Sequence, residues 1–333
     1  MKNLTHGAIK LLFFLSILIL LQACGENPGL WRNQQISPGK RDEFNKMNKD
    51  ILQAFKSGSM DTLGFHLSKE LLQDANINRR VELVSNQLKA ADFELLDEYY
   101  IVKDTTNADS NFKITSPVKP NSYTLNSIVP PGENYIALFV QKTGVTKHII
   151  SINYFNYNYG WKVSDMEVGP YTVNGKTAPQ LFELAKQEYG KHYVVNALNI
   201  MQMEQYCVKP IDAWQYPQED EMNVFYAMLL NAGNSLYKFP LTLSQIPTHP
   251  RIFRVMNQYN DNGAYPMIYY LSTVKLQDTA AIKKENMAVK AIISKMMPGI
   301  DKDNKYLLYT IYNQMPNAER SVDHFDITEK IDQ

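Results

Sequence analysis

The chain has 333 residues with 44% apolar and 20% charged side chains, which suits a folded globular protein and excludes a disordered or fibrous one. At roughly 100 to 200 residues per domain, this length predicts two domains. With 34 basic and 34 acidic side chains the formal charge is zero, so no global positive field is present to hold nucleic acid, and two cysteines cannot build a disulfide scaffold.

Residues 1–23 have the three parts of a secretory signal: a basic start with Lys2 and Lys10, the apolar run Leu11 to Leu21, and a small residue, Ala23. A spanning helix needs about 20 apolar residues, and this run is shorter. It ends in Leu21-Gln22-Ala23-Cys24, which resembles the bacterial lipobox. That resemblance implies removal of the leader, acylation of Cys24 with chains such as palmitate, and a lipid-anchored place in the bacterial cell envelope, at the outer membrane. Each buried methylene contributes about 0.8 kcal/mol to attachment, so more than one chain holds the protein stably. Processing removes two lysines and no acid, leaving 32 basic and 34 acidic groups and no polybasic patch for anionic lipid. Cys207 then has no intramolecular partner and reads as a small buried hydrophobe on a helix. Residues 24–40, with Pro28-Gly29 and Pro38-Gly39 among Asn and Gln, read as a tether.

Helical spacing begins at Arg41, placing Phe44, Met47, Ile51, Leu52 and Phe55 on one face until Ser57-Gly58 stops it. A second helix from near Asp61 carries Leu63, Leu67 and Leu71, and a third carries Val81, Val84, Leu88 and Ala91. Strand patterns follow at 99–102, 135–141, 148–157 and 161–168. Gly144 and Asn158-Tyr159-Gly160 supply turns, so the last three strands read as an antiparallel meander.

From about Asp42 to Tyr171 the chain resembles the NTF2-like (cystatin-like) domains of bacterial envelope lipoproteins. The resemblance rests on the helix break Phe55-Lys56-Ser57-Gly58-Ser59-Met60-Asp61 and on Gly160-Trp161-Lys162-Val163-Ser164-Asp165-Met166, which is similar to their closing strand. It implies an α+β fold in which helices pack on a curved antiparallel sheet, the NTF2-like cone. Asp104 to Pro131 is longer and more polar than that fold requires. Because the family holds both pocket enzymes and non-catalytic modules, the resemblance speaks to architecture and not to chemistry.

Alternation in a strand places His148, Ile150, Ile152 and Tyr154 on one face, and Trp161, Val163, Asp165 and Glu167 on one face of the next strand. His148 and Asp165 are the candidate catalytic pair, a base and its orienter in an apolar site. The competing reading puts His148 at a strand end and a bulge before Met166, with both acids in water. Tyr154, Tyr157 and Trp161 are the candidate ligand-binding rings, offering stacking surface for a glycan or peptide; as core and cross-strand pairs they would have no such role.

Asn174-Gly175-Lys176 opens the second expected domain, 174–333. Thr177 with Gln180 forms a capping box and Pro179 fits the first turn, starting a helix with Leu181, Leu184 and Ala185 inward. Gly190 breaks it before Val194, Val195, Leu198 and Met201. Another helix is expected over 222–230, then strands at 236–241, 251–256 and 267–276. Asp278 caps a helix carrying Val289, Ile292, Ile293 and Met296, and the run 306–312 reads as the final strand. The order predicts a second, partly helical α+β domain. Asn257 to Gly263 is only faintly similar to a calcium loop, since Gln258 would fall in the first ligand position, and Asp301-Lys302-Asp303 lacks the glycine. His66, His148, His192, His249 and His324 lack ligand spacing, so no metal or other cofactor is expected. No phosphate loop or nucleophile elbow occurs. The sequence thus predicts a non-catalytic binding or structural module, with a membrane as partner through its lipid and an envelope protein or glycan as further partner; the alternatives are an NTF2-like pocket enzyme and a glycan- or peptide-capturing lipoprotein.

Overall fold

The computed structural model describes residues 27–104, 112–117, 119, 121–127, 129–260, 262–317 and 322–331. The leader and Cys24 lie outside the described residues. Ordered structure starts sooner than the expected tether allows: Gly29–Arg32 forms strand β1, antiparallel to β2 (Phe93–Lys103), with Arg32 opposite Tyr99. Composition hides this strand because its stability comes from partners far along the chain. Trp31 stacks on Tyr100 with centroids 5.4 Å apart. After a 3-10 turn, Asn33–Gln35, helix α1 (Pro38–Ser57) begins on a proline, whose missing N–H costs nothing in a first turn. It stops at Gly58, whose φ of 69° lies in the left-handed region.

Leu63, Leu67 and Leu71 do not share one helix as expected. They occupy two short ones, α2 (Met60–Leu63) and α3 (Lys69–Leu72), with Leu67 between them bridged to Val163. The chain reverses there because Ser68 leaves helical geometry to cap α3, accepting from Leu71 N at 3.0 Å. Helix α4 (Ile77–Ala90) follows, burying Val81, Val84 and Leu88.

Strands β5 (Gly132–Gln141), β6 (His148–Tyr157) and β7 (Gly160–Pro170) form the expected meander and complete a five-stranded antiparallel sheet in the order β1-β2-β5-β6-β7. Strand β5 is buried over almost its whole length, which requires apolar cover on both faces. Tyr135, Ala137 and Phe139 meet Phe44, Ile51, Phe55 and Val84 from α1 and α4; Ile136, Leu138 and Val140 belong to a second core on the opposite face.

The second face is covered from both halves of the sequence. Within Asp104–Pro131 the described residues form the hairpin β3 (Phe112–Ser116) and β4 (Tyr123–Ser127), and β4 pairs with the short β8 (Trp214–Gln215). Tyr123 stacks on Trp214 at 3.7 Å. Helices α5 (Ala178–Gly190), α6 (Val194–Cys207) and α7 (Glu219–Leu236) pack into the same core, which therefore crosses the boundary expected at 173–174. The Thr177–Gln180 capping box forms, and the helix breaks after Gly190 as read. Helix α6 is apolar around most of its circumference because it packs on two sides, against β7 of the first sheet and β10 (Arg251–Asn260) of a third.

That third sheet has the order β13-β12-β11-β10-β9, from β9 (Leu241–Thr242), β11 (Gly263–Leu271), β12 (Tyr306–Tyr312) and β13 (His324–Lys330). Strands β11 and β12 run parallel, joined through α8 (Thr279–Met296), whose cap Asp278 accepts from Ala281 N at 3.1 Å as expected. Two readings are corrected here. The strand expected over 236–241 is confined to β9 at Leu241–Thr242, since Leu236 still belongs to α7. The last strand is β13, not β12. The segment whose spacing already fails as a calcium loop closes the β10–β11 hairpin, with Asn260 opposite Gly263. The molecule is a mixed α+β fold built on three antiparallel-rich sheets. Among the described residues no helix is long and apolar enough to cross a membrane.

Candidate binding cleft

The site grows out of a bulge. Along β6 and β7, Asn153 faces Asp165, but Tyr154 faces Val163, so Ser164 is an extra residue in β7. The insertion reverses the side-chain phase. Val163, Met166 and Val168 all reach the helical core, and Asp165 and Glu167 leave it. The bulge read from the sequence is present. The acids, however, are not in open water.

Beside the bulge, Asp165, Glu167, Asn153 and Ser164 line a cleft of about 430 Å³ with Asn126 and Asn134 from β4 and β5, and with Asp212 and Ala213 from the loop before β8. Glu167 accepts a hydrogen bond from the Asp212 backbone N–H at 2.6 Å. Burial pushes its carboxyl above the usual range; the N–H opposes this, and the charges of Asp165 and Asp212 add to it. Asp165 is paired with Arg80 of α4, which also donates to Asp74 at 3.0 Å and to the Met166 carbonyl at 2.6 Å. The cleft thus presents amides and acceptor oxygens, a set suited to ligand hydroxyls or a cationic group.

Gly169 holds the far wall in place. A Cβ there would lie 2.1 Å from the Pro210 carbonyl oxygen, so the loop carrying Asp212 lies directly on β7. Gly169→Ala is expected to cost roughly 1 to 3 kcal/mol in chemical denaturation, because backbone must move to admit the methyl group. An unchanged midpoint would show that the loop yields freely.

The candidate catalytic pair does not assemble. His148 begins β6 opposite Pro170, whereas Asp165 lies opposite Asn153, five positions along the strand or about 17 Å away. His148 lines a different cleft, about 540 Å³, with Gln87, Gln141, Thr146, Tyr206 and Tyr259, and no carboxylate is among its lining residues. Burial pushes its imidazole below the usual value.

The candidate ligand-binding rings separate as well. Tyr154 is buried, its hydroxyl donating to Asn48 Oδ1 at 3.0 Å, and Trp161 stands edge-on to Phe44 with centroids 5.4 Å apart. Both belong to the helical core, as the phase of β6 and β7 requires, and Tyr154 also borders the cleft beside Asp165. Tyr157 lies apart from them on a partly open surface, stacked on Tyr159 at 4.9 Å with Phe155 edge-on at 4.7 Å. Cys207 is the buried apolar residue expected: its sulfur donates to the Met203 carbonyl at 3.4 Å, and burial raises the thiol pKa.

Asp212, Asn126 and Asn134 escaped the sequence reading, which places Glu167 beside Asp165 without naming it a site residue. Only Glu167 carried a usable signal, through its spacing from Asp165; the others reach the cleft from segments more than 30 residues away on either side. Among the described residues no group of three or more His, Cys, Asp or Glu is arranged to hold a metal ion. No family model, no curated protein and no solved structure matches this chain.

Proposed function

We propose that the protein is a lipid-anchored component of the bacterial cell envelope, at the outer membrane, that acts as a non-catalytic binding or structural module. The observation that carries this reading is the order of basic start, short apolar run and Leu21-Gln22-Ala23-Cys24, set five residues ahead of strand β1 at Gly29. From Cys24 to Gly29 the reach is at most about 17 Å, so acyl chains on Cys24 would hold the folded body close to the lipid headgroups. The first half is read as an NTF2-like cone in which the space between helix and sheet is occupied by packed side chains. Phe44 lies on Tyr135 with centroids 3.9 Å apart, and buried Asn48 links the hydroxyls of Tyr135 and Tyr154, with Tyr135 donating to Glu98 at 2.8 Å. Rings and amides that satisfy one another serve as core and leave the acid and amide cleft on the opposite face to meet a partner.

A second reading, capture of a glycan or peptide, draws support from the stacked pair Tyr157 and Tyr159, where Lys69 sits 5.1 Å from the Tyr159 ring centroid. The test of the anchored reading is expression of the full chain in a bacterium that processes lipoproteins. The wild-type chain should fractionate with membranes, with a mass that begins at acylated Cys24; Cys24→Ser should lose both the acyl mass and detergent-dependent extraction. An intact, unmodified leader, or a Cys24→Ser chain that fractionates as before, would exclude it.

A further inference from the structure

Helix α7 is built as if one side were covered. From Met222 to Tyr237 the sequence contains no charged residue, yet only Met222 and Leu229 of the helix are buried. The outward face carries Val224 at 72% exposure and Met228 at 38%, with Ala227 between them and the uncharged Asn231, Asn234 and Ser235 continuing it. Leu230 lies on one flank, and Leu236 and Phe239, at 62% and 41%, prolong the apolar surface past the helix end. A surface helix ordinarily directs charge to water on this side. Charges are present only at the ends: Glu219, Asp220 and Glu221 in the first turn, and Lys238 just after the last.

We propose that this face is an isologous interface in which α7 packs antiparallel against α7 of a second copy of the chain. In that arrangement the acidic first turn of each helix meets Lys238 of the other, and the charge-free stretches lie against each other. Helix dipoles also oppose favourably. A parallel arrangement would juxtapose two acidic turns. A bilayer surface fits less well, since helices that lie on anionic lipid carry Lys and Arg along the polar border, whereas this one opens with three acids. The interface belongs to α7 alone and does not depend on lipidation of Cys24 or on the acid cleft.

Antiparallel pairing makes a geometric demand that single cysteines can read. The symmetry axis passes between Leu229 and Leu230, so Met228 lies opposite Asn231 and two copies of Met228 are offset by only about 4.5 Å along the axis. Val224 instead lies opposite Ser235, and two copies of Val224 are separated by about 16 Å along the axis at 1.5 Å per residue. The experiment is oxidative crosslinking of the full chain in the expressing cells, with the wild-type chain, which retains Cys24 and Cys207, as background. Met228→Cys alone, and Val224→Cys co-expressed with Ser235→Cys, should give covalent dimer at least tenfold above background; Val224→Cys alone should not. Met287→Cys, at a residue 60% exposed on α8, serves as the collision control and should stay at background. Adding Met228→Glu to the mixed pair should abolish the dimer. Equal crosslinking by Val224→Cys alone, by the Met287→Cys control, or by none of the pairs would overturn the proposal. So would absence of dimer together with Met228→Glu weakening attachment to phosphatidylglycerol vesicles, which would assign the face to lipid.

Discussion

Asp97→Ala is expected to destabilise the fold by about 3 to 5 kcal/mol, because it removes the acceptor at the centre of a nearly dry polar knot. Asp97 lies just after the irregularity in β2, where the register to β5 shifts between Leu95 and Asp97. Its Oδ1 accepts from Arg32 Nη2 at 2.7 Å and from Asn33 Nδ2 at 2.8 Å, and its Oδ2 accepts from the Tyr123 hydroxyl at 2.5 Å. The same Arg32 nitrogen donates to Ser116 at 2.9 Å, and Tyr123 contacts the Tyr99 hydroxyl at 2.8 Å. One carboxylate therefore joins β1, β2 and the hairpin β3–β4. The cost of its loss comes chiefly from what remains: a guanidinium only 19% exposed and a buried phenol, both without their partner. Replacing both charges should be gentler, so Arg32→Met with Asp97→Ala should lose less than the two single losses added together. Urea unfolding of the four chains measures this. A second readout is trypsin cleavage after Arg32, which should accelerate in Asp97→Ala as β1 comes free. A loss below about 1 kcal/mol with unchanged cleavage would show that the knot is incidental.

This knot also shows where sequence reading stops. Elements whose signal is local were legible: the Thr177–Gln180 box, the Asp278 cap, the Gly58 stop and the long apolar alternation of β5 and β6 each contain their own physical cause. Strand β1 does not, because Gly29-Leu30-Trp31-Arg32 is held by a ladder to residues 99–102 and by a carboxylate 65 positions away. The hairpin β3–β4 escaped for a related reason. Its buried residues, Ile114, Tyr123 and Leu125, are few and alternate with polar ones, and their cover comes from Trp214, which stacks on Tyr123 from 91 positions away. Helix α7 was shortened to 222–230 because the expected apolar stripe thins out toward Leu236. For the site, spacing placed Asp165 and Glu167 together and sensed the bulge. It paired Asp165 with His148 only because both stood on neighbouring strands, and position along the strands then separated them by five residues. Whether Tyr154 and Trp161 are open rings or core stays undecided in the sequence, because a strand pattern shows which residues share a face and not which core covers that face.

The charge-free stretch of α7 rests on an acid that should make the stability of the fold pH-dependent. Glu204 of α6 is fully buried; one carboxyl oxygen accepts from Gln205 Nε2 at 3.0 Å and the other has no hydrogen-bond partner. Burial pushes its pKa up to about 7, with Glu219 at the start of α7 adding to the shift and the Gln205 bond opposing it. Glu219 likewise has a buried oxygen without a partner. A raised carboxyl pKa means that the folded state holds a proton the unfolded chain releases near pH 4.5. Its contribution is therefore intact below about pH 4.5, is lost progressively as pH rises to about 7, and stays lost above that. The full span corresponds to about 3 kcal/mol at 1.36 kcal/mol per pKa unit. Glu204→Gln keeps the shape and carries a hydrogen-bonding amide at every pH. At pH 8 it should exceed wild type by up to that amount, or about 2 °C in melting midpoint for each kcal/mol, and the advantage should shrink toward pH 5. Melting curves of both chains across pH 5 to 8 measure it. An offset that is constant over this range would mean that Glu204 does not titrate there and that the α6–α7 junction is held by packing alone.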